Sequence, residues 1–307
     1  MRTLRAAVVL LAVLLLAALA FGKLTAHNGR PVAATASFGR GLSHVAVGTS
    51  TKIHLSPDAQ MVALVEGGAV TVVRTGDGSL VMSTGKNVVD AAWLPDGERV
   101  IVVEGPIPTG QIAAVDMRGK VVGIAKLNPS IEFGNGFGLA ADSAGARAAA
   151  IAVRRDAIGG AVHTDLVVVD LRSGVSNTLA TTTEERKPVF VDDDAVGAIV
   201  ASSNGDDDFV VGSAQVSAFR KAAAHVIGGP FPASRSGEVV IEIDPAAPVL
   251  VALDPATGRQ RVLARVRPGR DPVDVDARLT RALVRITDKD GTVHLGFDAL
   301  STRASTP

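Results

Sequence analysis

A short mark of punctuation recurs along this chain, and its recurrence limits the fold more than any other feature. Ser56-Pro57-Asp58 follows the run Lys52-Ile53-His54-Leu55 and precedes Met61-Val62-Ala63-Leu64-Val65. Leu94-Pro95-Asp96-Gly97 repeats the arrangement 38 positions on, from Asp58 to Asp96, between Val88-Val89-Asp90-Ala91-Ala92-Trp93 and Val100-Ile101-Val102-Val103. Each unit continues with a third apolar run (Val70 to Val73; Ile112 to Val115) and a fourth (Ser79 to Met82; Val121 to Ala125). Runs this short, rich in β-branched residues and bounded by Gly, Pro, Asn and Asp, are strands and not helices.

Weaker copies follow. Ala141-Asp142-Ser143-Ala144-Gly145 leads into Ala148 to Val153 and then Leu166-Val167-Val168-Val169-Asp170-Leu171-Arg172-Ser173-Gly174. Asp192-Asp193-Asp194 separates Val189-Phe190-Val191 from Val196 to Val200. Arg235-Ser236-Gly237 precedes Val239 to Ile243, and Val249 to Asp254 ends in Pro255-Ala256-Thr257-Gly258. Asp276-Ala277-Arg278 lies between Val273-Asp274-Val275 and Ala282 to Ile286. Six turns at intervals of about 38 to 50 residues match the period of a four-stranded propeller blade.

The pattern of apolar strand, Ser-Pro-Asp or Leu-Pro-Asp-Gly, apolar strand, then Asp-Leu-Arg-Ser-Gly or Asp-Pro-Ala-Thr-Gly resembles the TolB-like six-bladed β-propeller repeat over roughly residues 42–300. Gly-His and Trp-Asp pairs of the WD type are missing. The resemblance implies an all-β six-bladed propeller that binds a partner, and it leaves that partner open. The fourth unit departs most: Val216 to Ile227 reads as a strand pair or a short helix. The last unit offers three strands, Val273–Val275, Ala282–Ile286 and Val293–Phe297, while Leu42 to Val47 is spare before the first. Three plus one predicts a ring closed by the N-terminal strand, with no exposed edge left at the join. Tandem β-sandwiches predict a linker near the middle, and no linker-like stretch lies between about 100 and 190.

Residues 1–22 are of a different kind. Arg2 and Arg5 precede a charge-free stretch from Ala6 to Gly22 that is apolar on every side. Seventeen residues reach about 26 Å as a helix, close to the hydrocarbon thickness of a bilayer. Ala18-Leu19-Ala20 fits a signal-peptidase site, but the stretch exceeds the usual 7–15 residues of a signal peptide's apolar core, which favours an uncleaved anchor over a cleaved signal. Either reading puts the body outside the cytoplasm, membrane-anchored or secreted. The expected organisation is 1–22 signal or anchor, 23–38 flexible tether, 39–300 propeller and 301–307 tail.

Composition removes several functions. Lys plus Arg and Asp plus Glu are 31 each, against the basic excess of a nucleic-acid binder. The absence of cysteine rules out disulfides, thiolate zinc sites and a cysteine nucleophile. With no Tyr, one Trp and nine Phe, a sugar-binding or base-stacking platform is disfavoured. No G-x-S-x-G, H-E-x-x-H or phosphate-binding glycine motif occurs, and His27, His44, His54, His163, His225 and His294 are scattered. Gly134-Asn135-Gly136-Phe137-Gly138 leads into a strand, so it reads as a bulge or a tight approach near the axis. No catalytic residue, metal or cofactor is therefore expected.

The expected role is a non-catalytic, membrane-tethered propeller that binds a protein or cell-envelope component. The alternative is a calcium-dependent hydrolase of the six-bladed lactonase type, with Asn87, Asn135, Asp193 and Asp274 as the axial ligands. Two surface features are candidate partner contacts. Arg259, Arg261, Arg265 and Arg267 share one parity, which on a regular strand places four guanidinium groups on one face. Asp206, Asp207 and Asp208 are expected at a solvated hairpin tip. Long connections at Pro106–Gly110, Arg154–His163 and Ser202–Asp208 are the candidate contact loops.

Overall fold

The computed structural model describes residues 41–85, 87–104, 111–126, 138–155, 162–182, 185–201, 207–214, 219–231 and 237–300. Residues 6–22, the tether and the tail lie outside them. Among the described residues no helix is long and apolar enough to cross a membrane.

The strands fall into six sheets taken in chain order. The first blade holds β1 (Lys52–Leu55), β2 (Met61–Glu66), β3 (Ala69–Arg74) and β4 (Leu80–Thr84). The second holds β5 (Val88–Trp93), β6 (Arg99–Glu104), β7 (Gln111–Asp116) and β8 (Val121–Lys126). The third holds β9 (Leu139–Ala141), β10 (Arg147–Arg155), β11 (Val162–Asp170) and β12 (Ser176–Thr182). The fourth comprises β13 (Glu185–Phe190), β14 (Ala195–Ala201), β15 (Asp207–Ser213) and β16 (Phe219–Ala223). The fifth comprises β17 (Val226–Phe231), β18 (Val239–Ile243), β19 (Val249–Leu253) and β20 (Gln260–Arg265). The sixth has three strands, β21 (Arg270–Val275), β22 (Arg281–Thr287) and β23 (Val293–Ala299). Every pairing is antiparallel between consecutive strands, so each blade is a simple meander. The described part of the stretch expected as a strand pair or a helix, Phe219 to Ile227, belongs to two strands of different blades, with His225 turning between them at a φ of 54°.

The core explains the ring. Alternate residues of a strand face opposite sides of its sheet, and in the second strands both sides are buried. Val62 and Leu64 of β2 pack towards the sixth blade, while Ala63 and Val65 pack towards the second. Val100 and Val102 of β6 face the first blade; Ile101 and Val103 face the third. This is why these strands read as unbroken apolar runs. Six separate apolar clusters result, one at each junction between blades.

The closing segment corrects an expectation. Leu42 to Val47 is not a strand: Gly41–His44 forms a 3-10 turn, in which Val45 N–H donates to Leu42 C=O at 2.9 Å. Only Ala46 bridges to His294 of β23, with Val47 N–H donating to Val293 C=O at 3.2 Å. Leu42 and Val45 both enter the junction between blades six and one. Residues three apart point the same way on a helical turn and opposite ways on a strand, so burying both selects the turn. The ring is thus closed at its rim by packing and one bridge.

Leu295 and Ile101 are fully buried at two of the junctions. Replacing either with Ala should lower the unfolding free energy by about 2–5 kcal/mol. Val262→Ala on an exposed rim should change it by less than about 0.5 kcal/mol. Urea denaturation of the three variants checks this; equal losses would mean that the junctions do not carry the stability.

Candidate functional site

The innermost strands β1, β5, β9, β13, β17 and β21 surround the axis and enclose a funnel of about 620 Å³. Its wall is mostly apolar, with Leu55, Trp93, Leu139, Phe190, Phe231 and Val275 each from a different blade. Pro57, Pro95, Ser143, Asp192 and Ala277 border it where inner strands turn back into second strands. The recurring sequence mark therefore rings one mouth of the funnel.

The aspartates of that mark serve the turns themselves. Asp58 Oδ1 accepts Gln60 N–H at 3.1 Å, and Asp96 Oδ1 accepts Glu98 N–H at 2.9 Å. Asp142 Oδ1 accepts Ala146 N–H at 2.8 Å, and Asp276 Oδ1 accepts Thr280 N–H at 2.7 Å. Side-chain capping of this kind holds a turn in shape. The third-to-fourth turns repeat it: backbone hydrogen bonds to the carboxyl hold Asp116 below its ordinary pKa, and bonds from Ser173 and Thr257 do so for Asp170 and Asp254.

A band of polar groups crosses the apolar wall from blade six to blade two. Asp274 Oδ2 accepts Leu55 N–H from the neighbouring blade at 2.7 Å, and its Oδ1 accepts Val275 N–H at 2.8 Å. On the next seam, Asp90 Oδ1 lies 2.9 Å from His54 Nε2 and its Oδ2 lies 3.4 Å from Lys52 Nζ. Lys52 Nζ also donates to Val89 C=O at 2.8 Å, and Trp93 Nε1–H donates to His54 C=O at 2.9 Å. Arg285 of blade six reaches Thr51 C=O at 2.8 Å. Both buried aspartates follow an irregular step in their inner strand, where the register shifts before Asp90 and before Asp274. The shift turns a carboxyl onto its own next amide. Burial pushes Asp274 up to about 6, against the opposing pull of its two backbone donors and His54.

The sequence-derived sites fare unevenly. Of the four candidate axial ligands, Asp274 alone among the described ones lines the funnel. Asn87 is exposed before β5 at a φ of 61°, Asp193 takes a hydrogen bond from Ser143 in an exposed turn, and Asn135 lies outside the described residues. The structure does not assemble the ring drawn from them. Among the described residues no group of three His, Cys, Asp or Glu side chains could hold a metal ion.

The arginine stripe is corrected too. Arg259 and Arg267 lie outside β20, and the register shifts between Leu250 and Val251. Arg261 then pairs with Ala252 while Arg265 pairs with Val249, an odd step that places them on opposite faces. Leu263 is the extra residue and is buried, and Arg261 contacts Glu238 at 3.0 Å. The acidic cluster is not wholly a loop tip either. Asp207 and Asp208 begin β15, Asp208 pairs with Lys221 at 2.8 Å, and Asp206 lies outside the described residues. The tight approach expected of the glycine segment is found at Gly138, where a Cβ would stand 2.8 Å from Pro188. Residues 134–137 lie outside the described residues.

The three long connections share one placement. Each joins a second strand to a third, in blades two, three and four, and all second strands run the same way along the axis. Their flanking strand ends therefore stand at the end of the ring opposite the proline-bordered mouth. Residues 105–110, 156–161 and 202–206 themselves lie outside the described residues.

Sequence reasoning passed over Lys52, His54 and Asp90. The available signal was Asp90, a lone carboxylate inside the apolar run Val88 to Trp93.

No protein family and no curated protein matches the chain. Solved structures do. An oligogalacturonate lyase in complex with manganese superposes with a TM-score of 0.53 at 13% identity, covering 86% of this chain and 90% of that one. A putative TolB from Agrobacterium tumefaciens gives 0.51 at 14%, covering 82% and 90%. A chain of a nidogen/laminin complex gives 0.51 at 14%, covering 74% and 85%. Identities this low speak for the fold alone. The class is the six-bladed β-propeller. Within it, the arrangement is similar to that of the putative TolB, in line with the resemblance of the turn motifs.

Asp274 gives a pH dependence of known sign. Its pKa is higher folded than unfolded, so between about pH 4 and 6 the folded chain holds a proton that the unfolded chain releases. This contribution is fully present below about pH 4 and is lost as pH rises through 6. The unfolding free energy of the wild type relative to Asp274→Asn should rise by about 2–3 kcal/mol from pH 7 to pH 4. Parallel denaturation series across that range test it; a constant difference would refute the assignment.

Proposed function

We propose that this protein is a non-catalytic propeller on the outer side of a membrane, tethered through residues 6–22. In this reading it binds a protein or cell-envelope component through the axial funnel. One observation carries the reading: the funnel is roomy and apolar, yet its three buried carboxylates, Asp90, Asp142 and Asp274, are bonded to the fold itself. Such a wall offers contact area and a few fixed polar groups, which is what recognition needs. The structural neighbours support it at the level of class, since a putative TolB and a chain of a nidogen/laminin complex share the fold.

The competing reading is an enzyme, and one observation favours it. His54 faces the funnel with its Nε2 engaged by buried Asp90, an arrangement that orients an imidazole for proton transfer. The lyase neighbour shows that the fold hosts chemistry, although that protein binds manganese and no comparable ligand group occurs among the described residues here. Binding is the better reading because, among the described residues, Asp90 is the one side chain that hydrogen-bonds the imidazole.

Two measurements test the proposal. The protein should stay with membranes through a high-salt wash, because screening charge does not release an apolar helix; soluble mature protein starting at Phe21 would end the tether. A photocrosslinking residue at Pro57 or Pro95 should capture one envelope component in intact cells, and the same residue at Val262 should not. Divalent-metal-dependent turnover of lactones or uronate polymers, lost in His54→Ala, would decide for the enzyme.

A further inference from the structure

Exposed aliphatic side chains are unevenly spread around the rim of the ring. Among the described residues seven large aliphatic side chains are exposed: Ile227 and Val262 stand singly on two strands of blade five, and the other five are Leu80 at 53%, Val121 at 44%, Val122 at 47%, Ile124 at 50% and Val175 at 62%. All five lie on blades one to three, at the outer strands β4 and β8 or in the turn before β12. The blades repeat, so equivalent positions can be compared. Arg74 N–H bonds Ser79 C=O, Asp116 N–H bonds Lys120 C=O, Asp170 N–H bonds Val175 C=O and Asp254 N–H bonds Arg259 C=O. Leu80 and Val121 thus follow the same turn at the same step. In blade five that step is Gln260, preceded by Arg259. The outer strand of blade four carries exposed Arg220 and Lys221 instead, and blade five adds Arg261 and Arg265. Charges on an edge strand keep other surfaces off it; β4 has none, and β8 has none before Lys126.

The position of Gly41 indicates what covers this rim. Gly41 sits against the turn that precedes β4: a Cβ on Gly78 would stand 3.0 Å from Gly41 C=O, and one on Gly41 would stand 3.7 Å from Gly76 C=O. The chain therefore enters the ring beside Leu80, at the end of the ring that carries the third-to-fourth turns and the aliphatic residues after them. Arg118 and Lys120 are exposed in the turn before Val121, and the one carboxylate in that turn, Asp116, is occupied by the amides of Arg118 and Lys120 at 2.9 Å each. Aliphatic side chains flanked by basic ones suit the boundary between lipid headgroups and acyl chains.

We infer that the rim of blades one to three is a lipid-contact surface, on which the ring rests against the membrane that anchors it. The inference rests on the proposed tether and adds an orientation: the ring leans on one edge, with the ends of the second strands of blades two to four away from the bilayer. A surface strip of this size does not bind strongly alone, but a tether of some sixteen residues raises the effective concentration of bilayer at the rim.

The chain has no cysteine, so single labels are clean. Nitroxides attached to V122C and to V262C, which replace side chains of similar exposure on different blades, are compared in the full-length protein reconstituted into vesicles with and without anionic lipid. Flotation reports the tether, and collision with oxygen or with a water-soluble nickel chelate reports the surroundings of each label. The expected result is that the protein floats, that position 122 collides several-fold more with oxygen than with nickel, and that position 262 shows the reverse. A stronger contrast in anionic vesicles supports the part assigned to Arg118 and Lys120. If the protein floats while position 122 remains as nickel-accessible as 262, the docking surface is refuted and the tether stands. If it does not float, both fall. Shielding of 122 from both reagents with dipolar broadening between labels overturns the inference in favour of a second copy of the chain.

Discussion

A sheet whose second strand is apolar on both faces needs a neighbour on each side. That single requirement organises this molecule. Val62 and Ala63, or Val100 and Ile101, lie next to one another in sequence yet belong to different junctions, so no blade completes its own core. Stacking more sheets in a row would leave two apolar end faces in water at about 25 cal/mol for each Å² left exposed. Bending the row into a ring removes both ends.

Closing the ring concentrates the demands on the junction of blades six and one. The sixth blade has three strands, and the segment that completes it supplies a turn, one bridge and the side chains Leu42, Val45 and Val47. Nearer the axis the same junction is held by Asp274 reaching across to Leu55 and by Arg285 reaching Thr51. The rim joint is therefore apolar and the axial joint is hydrogen-bonded. The second junction follows the same plan, with His54 and Lys52 meeting Asp90.

Much of the ring was legible in the sequence because its signals are local. An Asp two to five residues before the amides it binds leaves a similar short word at five of the six blades, and a doubly buried strand leaves an unbroken apolar run. The misreadings have physical causes of the same kind. The stripe from Arg259 to Arg267 assumed a strict alternation, and one extra residue at Leu263 reverses every face beyond it. The segment from Leu42 to Val47 has the composition of a strand, but two side chains three apart had to enter one pocket. The axial band was hidden for another reason: Asp90 meets a partner 36 residues away and Asp274 one 219 residues away. Separations of that size carry no pattern, and only the closed ring makes them neighbours.

The chain contains one tryptophan and no tyrosine, and that tryptophan is in the funnel wall. Trp93 is buried, with its ring N–H fixed to His54 C=O across the junction of blades one and two. Ultraviolet emission from this protein therefore originates from a single spot. A molecule entering the funnel changes the surroundings of the only indole, while loosening of blades four or five leaves its neighbours in place. The colour of the emitted light thus tells occupancy of the axis apart from fraying of the far side, with no dye attached.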